Sequence, residues 1–208
     1  MELSGLRKDY SDRTLRKRDL SLNPFEQFTH WFHEASSLIE HNAMQLATSS
    51  EGRPSLRTLL LKYFDSQGFI FYTSYHSRKA QELEKNPYCS LLFYWKELEK
   101  QVIIEGKAQK ISPDQSAAYF ASRPRSNQLA AHASSQSQAL TTREELDARY
   151  HALEKQFNDQ KIPLPTHWGG YLVIPTRFEF WQGRPHRLHD RFQYTLKNST
   201  WHLERLNP

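Results

Sequence analysis

The sequence contains little glycine, a single cysteine and no long hydrophobic run. Its seven glycines form neither the GxGxxG loop that binds dinucleotides nor the GxxxxGK[ST] loop that binds phosphate. The one cysteine, Cys89, excludes an intrachain disulfide, so we expect a reducing, cytoplasmic location. No apolar run approaches the ~18 residues of a membrane helix, and the N-terminal residues lack the apolar stretch of a secretory signal, so we expect no membrane partner.

Positive charge is in modest excess. The 208 residues include 28 Lys and Arg against 23 Asp and Glu, which gives a net charge of +5. Six of the basic residues lie between positions 7 and 18, and we expect residues 1–22 to form a basic, partly mobile arm ahead of one domain at 23–208. The charge is small for a nucleic-acid-binding protein, and helix-turn-helix, zinc-finger and RNA-binding aromatic motifs are missing. We therefore expect no nucleic-acid partner.

The hydrophobic pattern predicts short strands interrupted by a few helices. Helix starts are predicted after the capping residues Asn23, Ser77, Ser112 and Thr142, and a further short helix is predicted near 127–133. The predicted strands are Ala43–Thr48, Ser55–Phe64, Phe69–Thr73, Tyr88–Trp95, Gln101–Ile111, Gly170–Ile174, Arg177–Gln182, Phe192–Leu196 and Trp201–Leu206. Because short turns join most of these strands, the fold predicted is mainly β, an antiparallel barrel with helices packed around it.

Two basic clusters are candidates for phosphate binding near the middle of the chain. Arg57 and Lys62 flank the apolar residues of one predicted strand, on opposite faces of it. In the second cluster, Arg78 and Lys79 begin a predicted helix, where cations oppose the helix dipole unless an anion is bound. The alternative for both clusters is ordinary: cations at a strand end, and a solvated basic pair at a helix start.

Two further clusters follow towards the C-terminus. Arg123 and Arg125 flank a proline at a predicted helix end, which suits a phosphate or simply complements the helix dipole. Residues 179–191 combine arginines and histidines after an aromatic strand; the arginines disfavour a metal there, so we expect no metal site. This segment is alternatively a solvent loop in which Asp190 pairs with arginines. No nucleophile motif is present, and Cys89 lies in an apolar strand, so a cofactor is expected to carry any difficult chemistry.

Taken in order, several motifs resemble the pyridoxine/pyridoxamine 5′-phosphate oxidases over nearly the whole chain. They are RTLLLK at 57–62, Tyr72-Thr73, Ser77-Arg78-Lys79, Gln101-Val102, YFASRPR at 119–125, Trp168-Gly169-Gly170 and FWQGRPHRLHDR at 180–191. The resemblance implies an FMN-binding split β-barrel that forms a homodimer with FMN at the interface. It also implies oxidation of pyridoxine or pyridoxamine 5′-phosphate to pyridoxal 5′-phosphate, in vitamin B6 biosynthesis and salvage. The reaction that it implies transfers hydride from substrate C4′ to flavin N5 and reduces O2 to H2O2.

The same resemblance implies a set of site residues. The FMN-binding residues it implies are Arg57, Thr58, Leu59, Leu60, Leu61, Lys62, Tyr72, Thr73, Arg78, Lys79, Gln101, Gln136, Ser137, Trp181 and Arg191. The substrate-binding residues it implies are Lys62, Tyr119, Arg123, Asn127, Arg187, Leu188 and His189, of which Arg187 and His189 are the catalytic pair. Asn127 departs from the serine of the family pattern. The stretch Arg7-Lys8-Asp9-Tyr10 matches a segment linked to a secondary pyridoxal phosphate site or to a lid.

Two alternatives stay open. A related split-barrel flavoprotein with another substrate would keep the FMN-binding residues but not Arg187, His189 and the corner around Arg123. A protein that binds FMN or pyridoxal phosphate without catalysis would differ only in lacking turnover.

Overall fold

The computed structural model describes residues 1–5, 9–11 and 13–208. Arg7 and Lys8, two of the four residues of the predicted secondary site, lie outside the described residues. The strands are β1 (Ala43–Ser50), β2 (Arg53–Leu60), β3 (Tyr63–Asp65), β4 (Gly68–Ser74), β5 (Tyr88–Trp95), β6 (Lys100–Lys110), β7 (Trp168–Gln182), β8 (Asp190–Lys197) and β9 (Thr200–Leu206). The α-helices are α1 (Pro24–Glu34), α2 (Arg78–Lys85), α3 (Pro113–Ser122), α4 (Arg125–Ala133) and α5 (Arg143–Phe157).

All strand pairs in the described sheet are antiparallel, as the short turns predicted. The order is β2-β1-β5-β6-β7-β4-β3, and β8 pairs with both β7 and β9. The long strand β7 pairs with β6 along one edge and with two different strands along the other edge. Its first part pairs with β4 and its last part with β8, while β6 runs along the other edge. This division opens the sheet between β4 and β8 and gives the split form of the barrel.

The prediction of two strands at 170–174 and 177–182 is wrong, because the structure has the single strand β7. Between the two predicted strands, the pairing with β6 is irregular: Glu105 pairs with Arg177, but Gly106 pairs with Pro175, so Thr176 has no partner in the register. A bulge of this kind accommodates a proline, which cannot donate to the ladder. Gly106 is required there because a Cβ would collide with the carbonyl oxygen of Ile174.

The single strand predicted over 55–64 is also wrong. It divides into β2 and β3, and Leu61 and Lys62 form the link between them. The Leu61 amide donates to the carbonyl of Asn42, whereas the Lys62 amide donates to the carbonyl of Ile70 in β4. The chain therefore passes here from the β1 side of the barrel to the β4 side. Lys62 lies at this crossing and not inside a strand.

The helix starts follow their capping signals, with one exception. Asn23 accepts a hydrogen bond from the Phe25 amide, Ser112 forms a complete capping box with Gln115, and Thr142 accepts from the Glu145 amide. Ser77 precedes α2 as predicted, but its side chain makes no capping bond. Its hydroxyl lies 3.4 Å from that of Thr73 in β4 instead.

Aromatic side chains fill the barrel. Phe28 of α1 is fully buried against the rings of Phe64, Phe69 and Phe93, with ring centroids 4.9–5.0 Å apart. Each such side chain contributes roughly 1.5–3 kcal/mol on burial. A smaller second cluster lies under α3, α4 and α5 and includes Phe120 and Trp168. The candidate site lies between these two cores.

The described part of the N-terminal arm packs on the barrel. Leu15 and Leu20 are buried, the Ser11 amide and hydroxyl donate to Glu99, and the Leu15 amide donates to Asp190. Whether the arm is mobile stays a prediction.

None of the helices in the described ranges combines the length and the hydropathy needed to cross a membrane.

Candidate functional site

Two adjoining cavities open beside the end of β4. The first has a volume of about 530 Å³ and the second about 390 Å³, and Tyr72, Thr73 and Gln136 line both. Gln136 joins the loop after α4 to β4, because its side-chain oxygen accepts hydrogen bonds from the Thr73 hydroxyl at 3.0 Å and the Ser74 amide at 3.3 Å. The two cavities are thus compartments of one larger cleft.

The second cavity is basic. Arg57 of β2 and Arg78 and Lys79 of α2 line it, together with the predicted residues Thr58, Leu59 and Ser137. The structure therefore brings Arg57 of the first mid-chain basic cluster to Arg78 and Lys79 of the second, whereas Lys62 lines the first cavity. Leu61 is only 3% exposed and belongs to the barrel core, so its side chain does not face the cavity.

Lys79 is a buried cation in this cavity. Its side chain is 7% exposed, and its ammonium donates to the Thr73 hydroxyl at 3.0 Å. Burial, reinforced by the nearby charge of Arg57 and only partly offset by Glu82, lowers the pKa of Lys79 to about 8. A buried ammonium held by a neutral hydroxyl is stabilised by an anion bound beside it.

The arginines of the second cavity are paired with a carboxylate that the sequence analysis did not single out. Glu82 is 7% exposed and forms ion pairs with Arg57 at 3.2 Å and Arg78 at 2.8 Å. The hydroxyls of Thr48 and Ser55 also donate to it. Its position four residues after Arg78 is a helical signal for that pair, but nothing in the sequence indicates its burial.

The first cavity holds the predicted substrate-phosphate corner. Lys62, Tyr119, Arg123 and Asn127 all line it. The Nη1 atom of Arg123 is buried and has no hydrogen-bond partner in the described part of the chain. Burial lowers the pKa of Arg123, although Tyr119 partly offsets the effect. Buried donors are normally paired, so this one marks a position for an anion.

Aromatic rings hold the Arg123 corner in place. The guanidinium of Arg123 lies over the Trp168 ring, 4.7 Å from its centroid. Tyr72 stacks on Tyr119 at 3.8 Å and on Trp168 at 5.4 Å between centroids. Trp168 is thus a site residue that the sequence analysis quoted only as part of a motif. The Trp-Gly-Gly sequence was a signal for it, but not for its contacts.

The loop after β7 presents Arg187 and His189 differently. Arg187 is exposed, has a φ of 63° and makes no hydrogen bond or ion pair with the described residues. His189 lies against the rings of Trp181 and Tyr10, with centroids 4.7 and 5.2 Å away. Gly183 allows this contact, because a Cβ at that position would collide with the Tyr10 ring.

His189 is held as a neutral imidazole with a defined tautomer. Its Nδ1 accepts a hydrogen bond from the Arg184 amide at 3.0 Å, so the proton of the neutral ring is on Nε2. Partial burial and the charges of Arg187 and Arg191 lower its pKa. The ring therefore offers an N–H donor near neutral pH.

Other charged residues of the segment 179–191 form ion pairs. Asp190 pairs with arginines, as the alternative of a solvent loop predicted. Asp190 forms ion pairs with Arg205 at 2.6 Å and with Arg184 at 3.7 Å. Arg191 is 2.7 Å from Glu179, which is almost fully buried, and also donates to the Asn207 carbonyl. Arg187 thus remains available, whereas Arg191 is fixed in orientation.

Six of the predicted site residues do not line either cavity of their own chain. Gln101, Trp181 and Arg191 lie in one row across β6, β7 and β8. Trp168 lines the first cavity, but Trp181 is 13 residues further along the same strand, up to about 40 Å at ~3.3 Å per residue. Neither cavity is lined by Gln101, Trp181, Arg187, Leu188, His189 or Arg191.

Two models of known protein families match this chain, in two successive regions. A family model for pyridoxamine 5′-phosphate oxidase matches residues 33–157, and one for the pyridoxine 5′-phosphate oxidase C-terminal dimerisation region matches residues 168–208. The second match supports a homodimer, and it includes the end of β7 and the loop after it, whose predicted site residues do not line either cavity.

Curated relatives match over the full length. Pyridoxine/pyridoxamine 5′-phosphate oxidases from Rippkaea orientalis and Crocosphaera subtropica are 52% and 53% identical, and each alignment covers 100% of both chains. The structure of PhzG from Burkholderia lata 383, in complex with tetrahydrophenazine-1-carboxylic acid, has a TM-score of 0.89 and 30% identity, and covers 95% of this chain and 100% of that one.

A pyridoxamine 5′-phosphate oxidase-related, FMN-binding protein from Nostoc punctiforme has the same fold, with a TM-score of 0.74 at 21% identity over 91% of this chain and 100% of that one. These matches confirm the fold class and the resemblance that the motifs indicated. The basic double cavity, the two family matches and the full-length relatives lead to one conclusion: the chain belongs to the pyridoxine/pyridoxamine 5′-phosphate oxidase family of FMN-dependent oxidoreductases.

Proposed function

We propose that the protein is a cytoplasmic enzyme that oxidises pyridoxine or pyridoxamine 5′-phosphate to pyridoxal 5′-phosphate, with O2 as acceptor and H2O2 as product. The observation that carries the proposal is the pair of adjoining basic cavities. One contains Arg57, Arg78 and Lys79, and the other contains Lys62 and the unpaired Nη1 of Arg123. Two phosphate corners in one cleft suit a phosphorylated cofactor beside a phosphorylated substrate.

FMN fits the second cavity by its donor chemistry. A phosphate dianion there would pair with Arg57 and Arg78 and add to the countercharge of Glu82, which only partly offsets the lowering of the pKa of the buried Lys79. Thr58, Tyr72, Gln136 and Ser137 would hold the rest of the cofactor from the same wall. The chemistry that FMN supplies when bound is two-electron acceptance at flavin N5 from substrate C4′, with return of the electrons to O2.

The substrate phosphate would occupy the first cavity. Arg123 offers its unpaired Nη1, Lys62 adds a second charge, and Tyr119 and Asn127 offer a hydroxyl and an amide. The amide of Asn127 is longer than the serine of the family pattern but donates the same kind of hydrogen bond. Stacking of Arg123 on Trp168 fixes the planar guanidinium before the phosphate arrives.

A second copy of the chain would complete the site. The predicted FMN residues Gln101, Trp181 and Arg191 and the predicted substrate residues Arg187, Leu188 and His189 do not line the cavities of their own chain. In a two-fold dimer these residues reach the cavities of the partner, which a region matching a dimerisation model supports. Arg187 would then cover the substrate ring, and His189 would donate from Nε2 to an acceptor on that ring.

The position of Tyr10 supports a lid more than a separate pyridoxal phosphate site. Tyr10 packs on His189 and Trp181, two residues predicted to contact substrate and cofactor. An arm that closes over this loop would exclude water from the reacting carbon.

Product formation tests the proposal. FMN-loaded protein supplied with pyridoxine 5′-phosphate should consume O2 and form pyridoxal 5′-phosphate and H2O2 in equal amounts. Pyridoxamine 5′-phosphate should also release ammonia. Unphosphorylated pyridoxine is the matched control and should react poorly. Flavin binding without any turnover would instead favour a non-catalytic binder, and equal rates with pyridoxine would favour another substrate.

The buried Lys79 predicts a pH dependence for FMN binding. Its pKa of about 8 in the unliganded protein should rise when a phosphate binds beside it, so binding takes up a proton above that pH. FMN affinity should therefore fall as pH rises above about 8, whereas riboflavin affinity, measured by the same flavin fluorescence titration, should not follow this fall. Lys79→Met should remove the FMN-specific pH dependence. An FMN affinity that stays flat relative to riboflavin between pH 7 and 10 would contradict this role of Lys79.

A further inference from the structure

A buried carboxylate contacts two of the cations that line the second cavity, and no phosphate contact explains it. Glu82 pairs with Arg57 and Arg78 and interacts with the charge of Lys79, and these three cations line a cavity expected to bind an anion. A negative charge beside a phosphate site weakens phosphate binding by simple Coulomb repulsion. Its presence therefore calls for a compensating role.

The bonds of Glu82 indicate that role. Oε1 accepts from Nε of Arg78 at 2.8 Å, and Oε2 accepts from Nη2 of Arg57 at 3.2 Å. The hydroxyls of Thr48 and Ser55 donate to Oε2 as well, so strands β1 and β2 fix the carboxylate. The side chain of Arg78 is 64% exposed, and the described residues offer it no other ion pair.

We propose that Glu82 is a positioning residue that holds Arg57 and Arg78 in the geometry that receives the FMN phosphate. The inference rests on the proposed placement of that phosphate in the second cavity. Without the carboxylate, the guanidinium of Arg78 loses its anchor and moves into solvent. Arg57 keeps only its bonds to the Leu46 carbonyl and to the Thr48 and Ser55 hydroxyls. Binding phosphate would then require ordering the Arg78 side chain, while Arg57 would lose one of the bonds that orient it.

The ionisation state of Glu82 agrees with this geometry. Burial alone would raise its pKa, but the hydrogen bonds from Ser55, Thr48, Arg78 and Arg57 outweigh burial and lower the pKa to about 2. The carboxylate is therefore charged at neutral pH. Together with the three cations Arg57, Arg78 and Lys79, the Glu82 carboxylate gives a net charge of +2. This charge matches that of a phosphate dianion.

Positioning and simple charge predict opposite results for Glu82→Gln. The substitution removes one negative charge, so Coulomb attraction alone would tighten FMN binding. It also replaces one of the two acceptor oxygens by an NH2 group. That group is a hydrogen-bond donor, so it repels the arginine that the oxygen held and displaces it. If positioning dominates, FMN should bind about tenfold more weakly.

The experiment compares FMN with riboflavin, which lacks the phosphate, by flavin fluorescence titration of the full-length protein. Glu82→Gln should reduce the preference for FMN over riboflavin about tenfold and leave riboflavin affinity within about twofold of wild type. Glu82→Asp keeps the charge but shortens the side chain, and should lose preference too. Glu84→Gln is the matched control, since that exposed glutamate lies on the same helix and, among the described residues, its ion pair is with Lys110 at 3.9 Å.

The outcomes separate this inference from the placement on which it rests. An unchanged or increased FMN preference in Glu82→Gln, or a wild-type preference in Glu82→Asp, would overturn the positioning role. Equal loss of FMN and riboflavin affinity would also overturn it, because that pattern indicates general damage to the fold. Arg78→Ala tests the placement itself: if that variant keeps the full preference for FMN, the phosphate does not bind in this cavity, and the inference fails with it.

Discussion

Arg123→Ala should raise the KM for pyridoxine 5′-phosphate tenfold to about a hundredfold, with a much smaller change in kcat. A charge-assisted hydrogen bond to phosphate contributes about 1.5–3 kcal/mol, and this contact is made in the ground state and the transition state alike. Steady-state peroxide release over a range of substrate concentrations measures both constants. FMN content should be unchanged, because Arg123 lines only the first cavity.

The free protein should tolerate this substitution. Arg123 carries a buried guanidinium nitrogen that has no hydrogen-bond partner among the described residues, so its removal abolishes a desolvation cost as well as the stacking on Trp168. Arg125→Ala is the matched control, since Arg125 bonds to the carbonyls of Asn158 and Gln160 and does not line the cavity. A wild-type KM in Arg123→Ala would remove the substrate phosphate from this corner.

Arg187→Ala should lower kcat about a hundredfold or more while the protein stays yellow with bound FMN. In the proposed dimer, Arg187 contacts only the substrate, and a cation placed where charge develops has a typical effect of this size. Arg187 is exposed and makes no hydrogen bond or ion pair with the described residues, so its loss should not affect folding. Single-turnover reduction of the flavin, followed by absorbance, measures the chemical step directly.

Two variants complete this test. Arg187→Lys should recover part of the rate, because it restores the charge but not the planar donor fork. Lys197→Ala removes an exposed cation from the end of β8 and should match wild type. A wild-type rate of flavin reduction in Arg187→Ala would exclude this arginine from the site.

The sequence predicted the strands and most caps because their signals are local. The capping box at Ser112 and the alternation of β5 appear directly in the residue order. The break between β2 and β3 was missed because Leu59, Leu60 and Leu61 form an unbroken apolar run across it. The continuity of β7 was missed because Pro175 is normally a strand breaker, and the bulge that accommodates it depends on Gly106 in another strand.

The site was predictable in its residue types but not in its assembly. The structure places Arg57, Arg78 and Arg123, which the motifs singled out, at cavity walls, and their roles in binding stay predictions. The motifs did not reveal the burial of Glu82, which depends on hydroxyls from two distant strands, nor the stacking of Trp168 on Arg123, which depends on the packing of α3. The sequence also does not indicate that Arg187 and His189 lie away from the cavities of their own chain.

The central claim is that each site combines the cavities of one copy with the Arg187 loop of the other. Mixed dimers test it most directly. Arg123→Ala and Arg187→Ala homodimers should both be nearly inactive at low substrate, but a mixed dimer places both substitutions in one site and leaves the other site intact. Equal mixing after co-expression makes about half of the dimers mixed, so activity should recover to about a quarter of wild type. Activity that stays at the level of the single variants would contradict a shared site.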